Sequence, residues 1–205
     1  MDSRVVRTLR QGIAMHYRWL AAALPFLAGC GYNTIQTYDE QAASAKQQIE
    51  VQLQRRADLI PNLVATVKGF AKQEEDVFVQ VAQARSGLLG SIQTGDPQEM
   101  ANANAQLTGA LGRLLVVAEA YPQLKSDQNF LRLQDELTGT ENRIGVARTD
   151  YNGAVERYNT YIRRFPAALT AKVTGAKPRQ YFEVTTPGAR EAPQVDFSKP
   201  APKTP

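Results

Sequence analysis

Histidine and cysteine are almost absent from this chain, which has one of each. His16 precedes a short apolar run, residues 19–27, and Cys30 follows it. A chain that is cut before Cys30 has no imidazole, and it has no free thiol once that cysteine is acylated. Nucleophiles paired with His, zinc sites and di-iron bundle sites all need a missing residue. Only chemistry based on carboxylate, Lys, Tyr or a Ser–Lys pair remains open, and our expectation is no metal, no cofactor and no catalytic residue.

A long hydrophobic run is also lacking. The nine residues from Trp19 to Leu27 are too few for a permanent transmembrane helix, but they suit the apolar part of a secretory signal peptide. The run closes on Leu-Ala-Gly-Cys, which resembles the bacterial lipobox. We predict a lipoprotein signal peptide over 1–29 and acyl chains, such as palmitate, on Cys30. An uncleaved membrane anchor is the alternative, and the start codon, Met1 or Met15, stays open.

The predicted attachment gives the location. Several acyl chains on Cys30 hold a protein stably to membrane lipid, facing the extracytoplasmic side of the cell envelope. In a cell with two membranes this side is the periplasm. Gly31, rather than Asp, after the cysteine favours the outer membrane, with the choice between inner and outer membrane left open.

An excess of positive charge is missing from the part of the chain that is predicted to fold. The whole chain carries a net charge of +4, but residues 30–171 contain 14 basic and 16 acidic residues. A nucleic-acid-binding domain needs a basic face. We expect no nucleic-acid partner.

Prolines are few between Cys30 and residue 170, and they separate long periodic segments: Pro61, Pro97, Pro122 and Pro166. Because proline is tolerated in a first helical turn or just beyond a helix end, each marks a boundary or a kink. We predict helices at about 33–59, 97–119 and 127–164, and one whose apolar seam runs from Leu63 to Leu88. Whether the chain is helical through Pro61 stays open.

The last predicted helix has an apolar seam along about 57 Å at 1.5 Å per residue. A helix of this length needs partners of similar length. The sequence therefore predicts an all-α fold, an elongated antiparallel (up-and-down) four-helix bundle over 30–171. Six of the eleven prolines follow in 172–205, which predicts an extended or disordered tail. Within it, only the stretch 181–184 is apolar enough to pack back onto the bundle.

Many separated motifs occur in order along the chain. They are RRADLIPNLV at 55–64, AR at 84–85, EAYP at 119–122, NF at 129–130, LQ at 133–134, TEN at 140–142, AR at 147–148, YN at 151–152 and 158–159, and FP at 165–166. With these motifs the chain resembles the LemA family of bacterial envelope proteins. The resemblance implies an antiparallel helical bundle tethered to a membrane by its N-terminus. It does not indicate a biochemical activity. Many members resemble proteins with a retained transmembrane helix instead of a lipobox.

Two groups of polar residues are candidates for recognition. The first is a corner beside Pro61, where two guanidiniums could grip a carboxylate or a phosphate, or could instead pair with neighbouring helices. It contains Arg55, Arg56, Asp58 and Asn62. The second is a polar stripe on the last helix, which could receive a partner or ligand, or fix the register of the helices. It contains Arg148, Asn152 and Asn159.

Three glutamates, Glu74, Glu119 and Glu141, lie nearest to predicted core positions, and a carboxylate-dependent hydrolase would use such groups. Without a histidine to complete a site, ion pairs with arginine are the simpler expectation. Our interpretation is a non-catalytic scaffold or interaction protein with an unidentified envelope partner and possible homo-oligomers. The alternatives are a binding module for an anionic small molecule or polymer, and a hydrolase.

Overall fold

The computed structural model describes residues 3–184, with side chains from Gly31 onward. These residues form helices and connecting segments, and they contain no strand. The helices are α1 (Ser3–Phe70), α2 (Glu75–Thr94), α3 (Pro97–Glu119), α4 (Pro122–Lys125), α5 (Gln128–Tyr161) and α6 (Ala167–Thr174). The all-helical class is confirmed. The arrangement as one antiparallel four-helix bundle stays a prediction, and α4 and α6 are short helices that the sequence did not indicate.

Helix α1 is continuous through Pro61. Proline has no N–H to donate to the carbonyl four residues earlier, which here belongs to the fully buried Ala57. Arg85 of α2 replaces the missing donor, because its Nε donates to the Ala57 carbonyl oxygen at 2.8 Å. A side chain from the neighbouring helix thus satisfies the carbonyl that Pro61 leaves free, and α1 continues to Phe70.

The predicted seam from Leu63 to Leu88 is divided between two helices, which corrects the expectation of one segment. Helix α1 ends at Phe70, and α2 begins at Glu75. Glu74, the polar residue in an otherwise apolar seam, occupies the N-cap position of α2. The break lets α2 turn back beside α1, where Lys68 lies over the ring of Phe78 at 5.1 Å.

The boundaries of α3 and α5 lie close to the predicted ones. Asp96 caps α3 by accepting from the backbone N–H groups of Gln98 and Glu99 at 2.8 and 2.9 Å. Asp127 caps α5 by accepting from the N–H of Phe130 at 2.9 Å. Both caps satisfy donors that have no partner within the first turn of a helix.

The packing centres on α1, which contacts each of the other five helices. Residue pairs join α1 and α5 in opposite order: Tyr38 meets Tyr161 with ring centroids 5.3 Å apart, and Gln52 accepts from Arg143 at 3.2 Å. The main core contains fully buried leucines and isoleucines of α1 with apolar residues of α2, α3, α4 and α5. A second, smaller cluster joins the part of α1 near Gly31 to the end of α5 and to α6, and its buried residues are Ile35, Tyr158, Ile162 and Ala171.

After α6 the chain is extended to Val184 and lies along α5. We call residues 176–184 the strap. Its Phe182 is buried in the main core, and Tyr181 packs against the same core. Residues 172–184 of the predicted tail therefore form the end of helix α6 and the strap, whereas 185–205 lie outside the described residues. The structure does not describe the side chains of residues 1–30, so the signal peptide and the lipidation of Cys30 stay predictions. None of the described helices has the length and apolarity to span a membrane.

The compensation at Pro61 predicts coupling between two distant residues. Arg85→Met leaves the Ala57 carbonyl without its donor, so we expect a loss of about 1–3 kcal/mol in the free energy of unfolding. In a Pro61→Ala background the new alanine amide supplies the bond, and the same substitution should cost much less. Urea unfolding of the four variants measures the coupling.

Arg113→Met is the matched control, because Arg113 donates to the side chain of Gln80 rather than to a backbone carbonyl. Equal losses for Arg85→Met in both backgrounds would show that Arg85 does not substitute for the proline amide.

Candidate functional site

Arg56 joins three helices in the interior of the fold. Its side chain leaves α1, and its Nη1 donates to Oδ1 of Asn104 on α3 at 2.5 Å. The same nitrogen forms an ion pair with Oε2 of Glu141 on α5. Arg56 is only 4% exposed, and Asn104 is also buried. The expectation that Glu141 pairs with an arginine is thus met, by a buried guanidinium and a glutamate side chain that is 45% exposed.

Burial lowers the pKa of Arg56 from its ordinary value, and the charge and hydrogen bonding of Glu141 oppose this effect. A guanidinium keeps its charge in proteins, so this group is a buried cation that requires a partner. Removing one member of such a pair is strongly destabilising because the other charge is left buried and alone. The arrangement accounts for Arg56 as a structural residue.

The other residues of the predicted corner face away from Arg56. Arg55, Asp58 and Asn62 are exposed, at steps of three and four that place them on one face of α1. Asp58 accepts from Nε2 of Gln54 at 2.8 Å. The two adjacent guanidiniums therefore lie in different surroundings, one in the core and one in solvent. Recognition by the three exposed residues stays a prediction.

The polar stripe of α5 holds the strap. Asn152 accepts from the N–H of Phe182 at 2.9 Å and donates to its carbonyl at 3.3 Å. Asn159 does the same with Arg179, at 2.8 and 2.9 Å. Each amide thus satisfies both backbone polar groups of one strap residue, as a neighbouring strand would. The stripe receives a segment of its own chain.

The spacing of the two asparagines along α5 matches the spacing of the two strap residues that they bind. Asn152 and Asn159 are seven residues apart on a helix, about 10.5 Å along its axis. Residues 179 and 182 are three apart in an extended chain, about 10 Å. Between these two bonds, the hydroxyl of Tyr151 donates to the carbonyl of Gln180 at 2.7 Å. Burial raises the pKa of Tyr151 to about 12, so this hydroxyl stays protonated and able to donate at physiological pH.

An ion pair ties the strap to α1 as well. Arg179 donates from Nε and Nη2 to the two carboxylate oxygens of Asp39, at 2.7 and 2.9 Å. This two-pronged geometry is the strong form of such a pair. The hydrogen bond from Arg179 is the main cause that holds the pKa of Asp39 below its ordinary value of 3.8, and it raises the pKa of Arg179. The strap thereby links α1 and α5.

Arg148, the third residue of the predicted stripe, is exposed. It takes part in none of the hydrogen bonds to the strap that are described above. It lines a shallow hollow beside Asn152, Tyr181 and Val184. The stripe therefore has two parts: the two asparagines, which bind the strap backbone, and an arginine at the edge of the strap. A role for Arg148 in recognition stays a prediction.

A larger open groove of about 1290 Å³ runs between α1 and α5. Its lining includes small residues and a row of glutamines on α1, with ionic groups of both signs along it. The small residues are Ser44, Ala45, Ala147, Gly153 and Ala154; the glutamines are Gln36, Gln41, Gln48 and Gln52; the ionic groups are Glu40, Arg143, Asp150 and Arg157. Such a surface allows close approach of another backbone and offers side-chain amides to it.

The sequence of this chain can be compared with the sequences of known proteins. The sequence profile described as the LemA family matches residues 45–197, which is most of the chain. The chain belongs to the LemA family. The resemblance drawn from separated motifs is thus confirmed.

Curated relatives include three magnetosome proteins. MamQ 2 and MamQ 1 of Paramagnetospirillum magneticum are each 30% identical to this chain, and MamQ of Magnetospirillum gryphiswaldense is 28% identical. Each match covers 74% of this chain and 64% of the relative. The chain therefore spans less than two thirds of the length of these relatives.

The three glutamates considered for catalysis lie in separate places. Glu141 is paired with Arg56, Glu74 occupies the N-cap position of α2 without a capping hydrogen bond from its side chain, and Glu119 is exposed at the end of α3. Among the described residues, no group of three or more His, Cys, Asp or Glu side chains is arranged to hold a metal ion.

Sequence reasoning missed the strap as the occupant of the stripe, the Asp39–Arg179 pair and the role of Arg85. The seven-residue spacing of Asn152 and Asn159 was a usable signal, because two amides on one helix face can bind an extended segment. No local pattern points to a pair such as Asp39 and Arg179, whose members are 140 positions apart.

The lowered pKa of Asp39 predicts that acid loosens the strap. A carboxylate whose pKa is lowered in the folded protein contributes its full stabilisation at a pH above its ordinary pKa. This contribution is lost as the pH falls through the lowered pKa. We therefore expect the strap to be held at neutral pH and loosened below about pH 4. The amide resonances of Arg179 and Phe182, followed by NMR during an acid titration, report this change.

Asp39→Asn should reproduce the loosened state at neutral pH, seen as faster hydrogen exchange at residues 179 and 182. Asp150→Asn, on the exposed part of α5, is the control and should leave that exchange unchanged. Unaltered exchange in Asp39→Asn would show that the asparagines and Tyr151 hold the strap without the ion pair.

Proposed function

We propose that this protein is a membrane-anchored, non-catalytic scaffold of the cell envelope. It is lipidated at Cys30, faces the extracytoplasmic side and presents an elongated antiparallel helical bundle to another envelope protein. Family membership and the magnetosome relatives support a membrane-associated helical protein, and neither indicates a catalytic role. The occupied stripe and the internal Arg56 pair support a structural use for most of the polar residues.

The groove between α1 and α5 is the observation that carries the proposal. Alanine, glycine and serine at helical spacing let a third helix approach closely, and glutamines along α1 offer donors and acceptors to it. We propose that the partner contributes a helix to this groove. The partner helix is amphipathic, with its smaller side chains toward Ala147 and Ala154.

The groove favours a helix over an anion. Arg143 and Arg157 line it, but Glu40 and Asp150 lie along the same surface, so its charge is mixed. Arg56 is already paired, which leaves Arg55 and Arg148 as single exposed cations of the two predicted groups. An anion-binding module would need several converging cations. The scaffold is therefore the better-supported function.

Filling the groove should abolish partner capture. Gly153 lies in its lining, and a Cβ at this position would have only the guanidinium end of Arg157 within 4 Å, at 3.6 Å. Gly153→Trp should therefore fold normally but block a docking helix. In-cell crosslinking followed by pull-down of the full chain measures the set of captured partners.

Gly112→Trp is the matched control, because a side chain there enters open space on α3. We expect wild type and Gly112→Trp to capture the same proteins and Gly153→Trp to lose them, with equal helical content by circular dichroism. Capture by all three variants would reject the groove, and no reproducible capture by wild type would reject the scaffold.

The proposed anchor has a separate test. Cys30→Ala removes the acyl acceptor, so incorporation of a labelled fatty acid should disappear and an unprocessed precursor should accumulate. Labelling and fractionation of cells that express either chain measure both effects. Membrane attachment that is unchanged in Cys30→Ala, without lipid on the wild type, would identify a retained helix as the anchor instead.

A further inference from the structure

Helix α6 exposes its large apolar residues and buries its small ones. Ala167 and Ala171 face the bundle and are 4% exposed. Phe165, just before the helix, is 83% exposed, Leu169 is 61% exposed and Val173 is 87% exposed. Leu169 and Val173 are four residues apart in the helix, so they lie on one side of it. We call these two residues, together with the exposed Phe165 that precedes the helix, the α6 face. The hydrophobic effect favours this orientation when the medium outside the face is itself apolar.

The α6 face lies at the end of the bundle where α1 leaves the predicted anchor. Gly31, the residue directly after Cys30, is in close contact with α6: a Cβ at Gly31 would lie 3.1 Å from Oγ1 of Thr170. The second core cluster joins Ile35 of α1 to Ala171 of α6 at the same end. The residue that is predicted to carry lipid is thus next in sequence to one that packs on α6.

The segment of chain that carries the α6 face has charges of one sign. No acidic residue occurs between Glu156 and Glu183, while this stretch contains six basic ones: Arg157, Arg163, Arg164, Lys172, Lys177 and Arg179. Arg179 forms an ion pair with Asp39. Four of the other basic residues are exposed: Arg163, Arg164, Lys172 and Lys177. On α1, residues 31–38 add no acidic group. Exposed cations flanking an apolar stripe suit a surface of anionic lipid headgroups over acyl chains.

We propose that the α6 face is a second membrane contact, which lays this end of the bundle on an anionic lipid surface with Phe165, Leu169 and Val173 in the boundary between headgroups and acyl chains. This inference rests on the proposed attachment to a membrane. The anchor alone would let the bundle swivel about one point. A second contact fixes its orientation and therefore the direction in which the groove between α1 and α5 faces.

Tryptophan fluorescence can test the contact, because Trp19 is the only tryptophan in the chain. In a Trp19→Phe background, Leu169→Trp places a single reporter on the α6 face. Val116→Trp places it on an exposed position near the other end of the bundle. The protein, purified from its host cells with the anchor that it carries there, is reconstituted into vesicles of phosphatidylcholine and phosphatidylglycerol, with or without bromine on the acyl chains, and attachment is checked by flotation.

We expect brominated lipid to quench the reporter at position 169 and to leave that at position 116 unchanged. The quenching should weaken in vesicles of phosphatidylcholine alone. It should weaken likewise in Lys172→Glu/Lys177→Glu, and not in the control Lys125→Glu/Arg132→Glu at the opposite end.

Three results would overturn the inference, and they are distinguishable. Protein that floats with the vesicles but shows no quenching at position 169 retains its anchor and lacks the α6 contact. Protein that does not float contradicts the membrane attachment itself, and the α6 contact with it. Quenching that is equal at positions 169 and 116 would show unspecific adsorption and would also reject the α6 face.

Discussion

The buried guanidinium of Arg56 is the constraint on which the arrangement of helices depends. A charge in the core must keep its partners, and these come from α3 and α5, so three helices are held at one level of the bundle. Apolar packing alone tolerates sliding by a turn, because one leucine can replace another. A guanidinium with a fixed amide and a fixed carboxylate does not permit that shift.

Side chains that satisfy backbone groups are a recurring device in this fold. Arg85 serves the carbonyl that Pro61 leaves without a donor, and two asparagines serve the backbone of the strap. In each case a segment departs from regular hydrogen bonding, and a neighbouring helix supplies what is missing. The device lets proline lie inside a long helix and lets an extended segment lie against a helical surface without unpaired polar groups at those positions.

The sequence allowed prediction of those elements that local chemistry determines. Two helix starts are examples: one is marked by Asp96 with Pro97, and the other by Asp127 with the apolar seam that follows it. The predicted bounds of α3 and α5 therefore lie within a few residues of the observed ones. The end of α1 was not found, because Pro61 normally stops a helix and only a tertiary bond from Arg85 removes that effect. Of the candidate polar groups, Asn152 and Asn159 were predicted to interact with a partner, a ligand or another helix. The segment that they bind is the strap, and its position depends on how the chain folds after α5, which no local pattern predicts.

The continuity of α1 has a mechanical consequence. One helix includes the segment nearest the predicted membrane attachment and the central element of the core, with no hinge among its described residues. A pulling force on its N-terminal end would act along the helix axis and load the contacts between α1 and α5 in shear. Shear requires many side-chain contacts to break together, whereas peeling breaks them one by one. The geometry suits a protein that must stay folded under such a load.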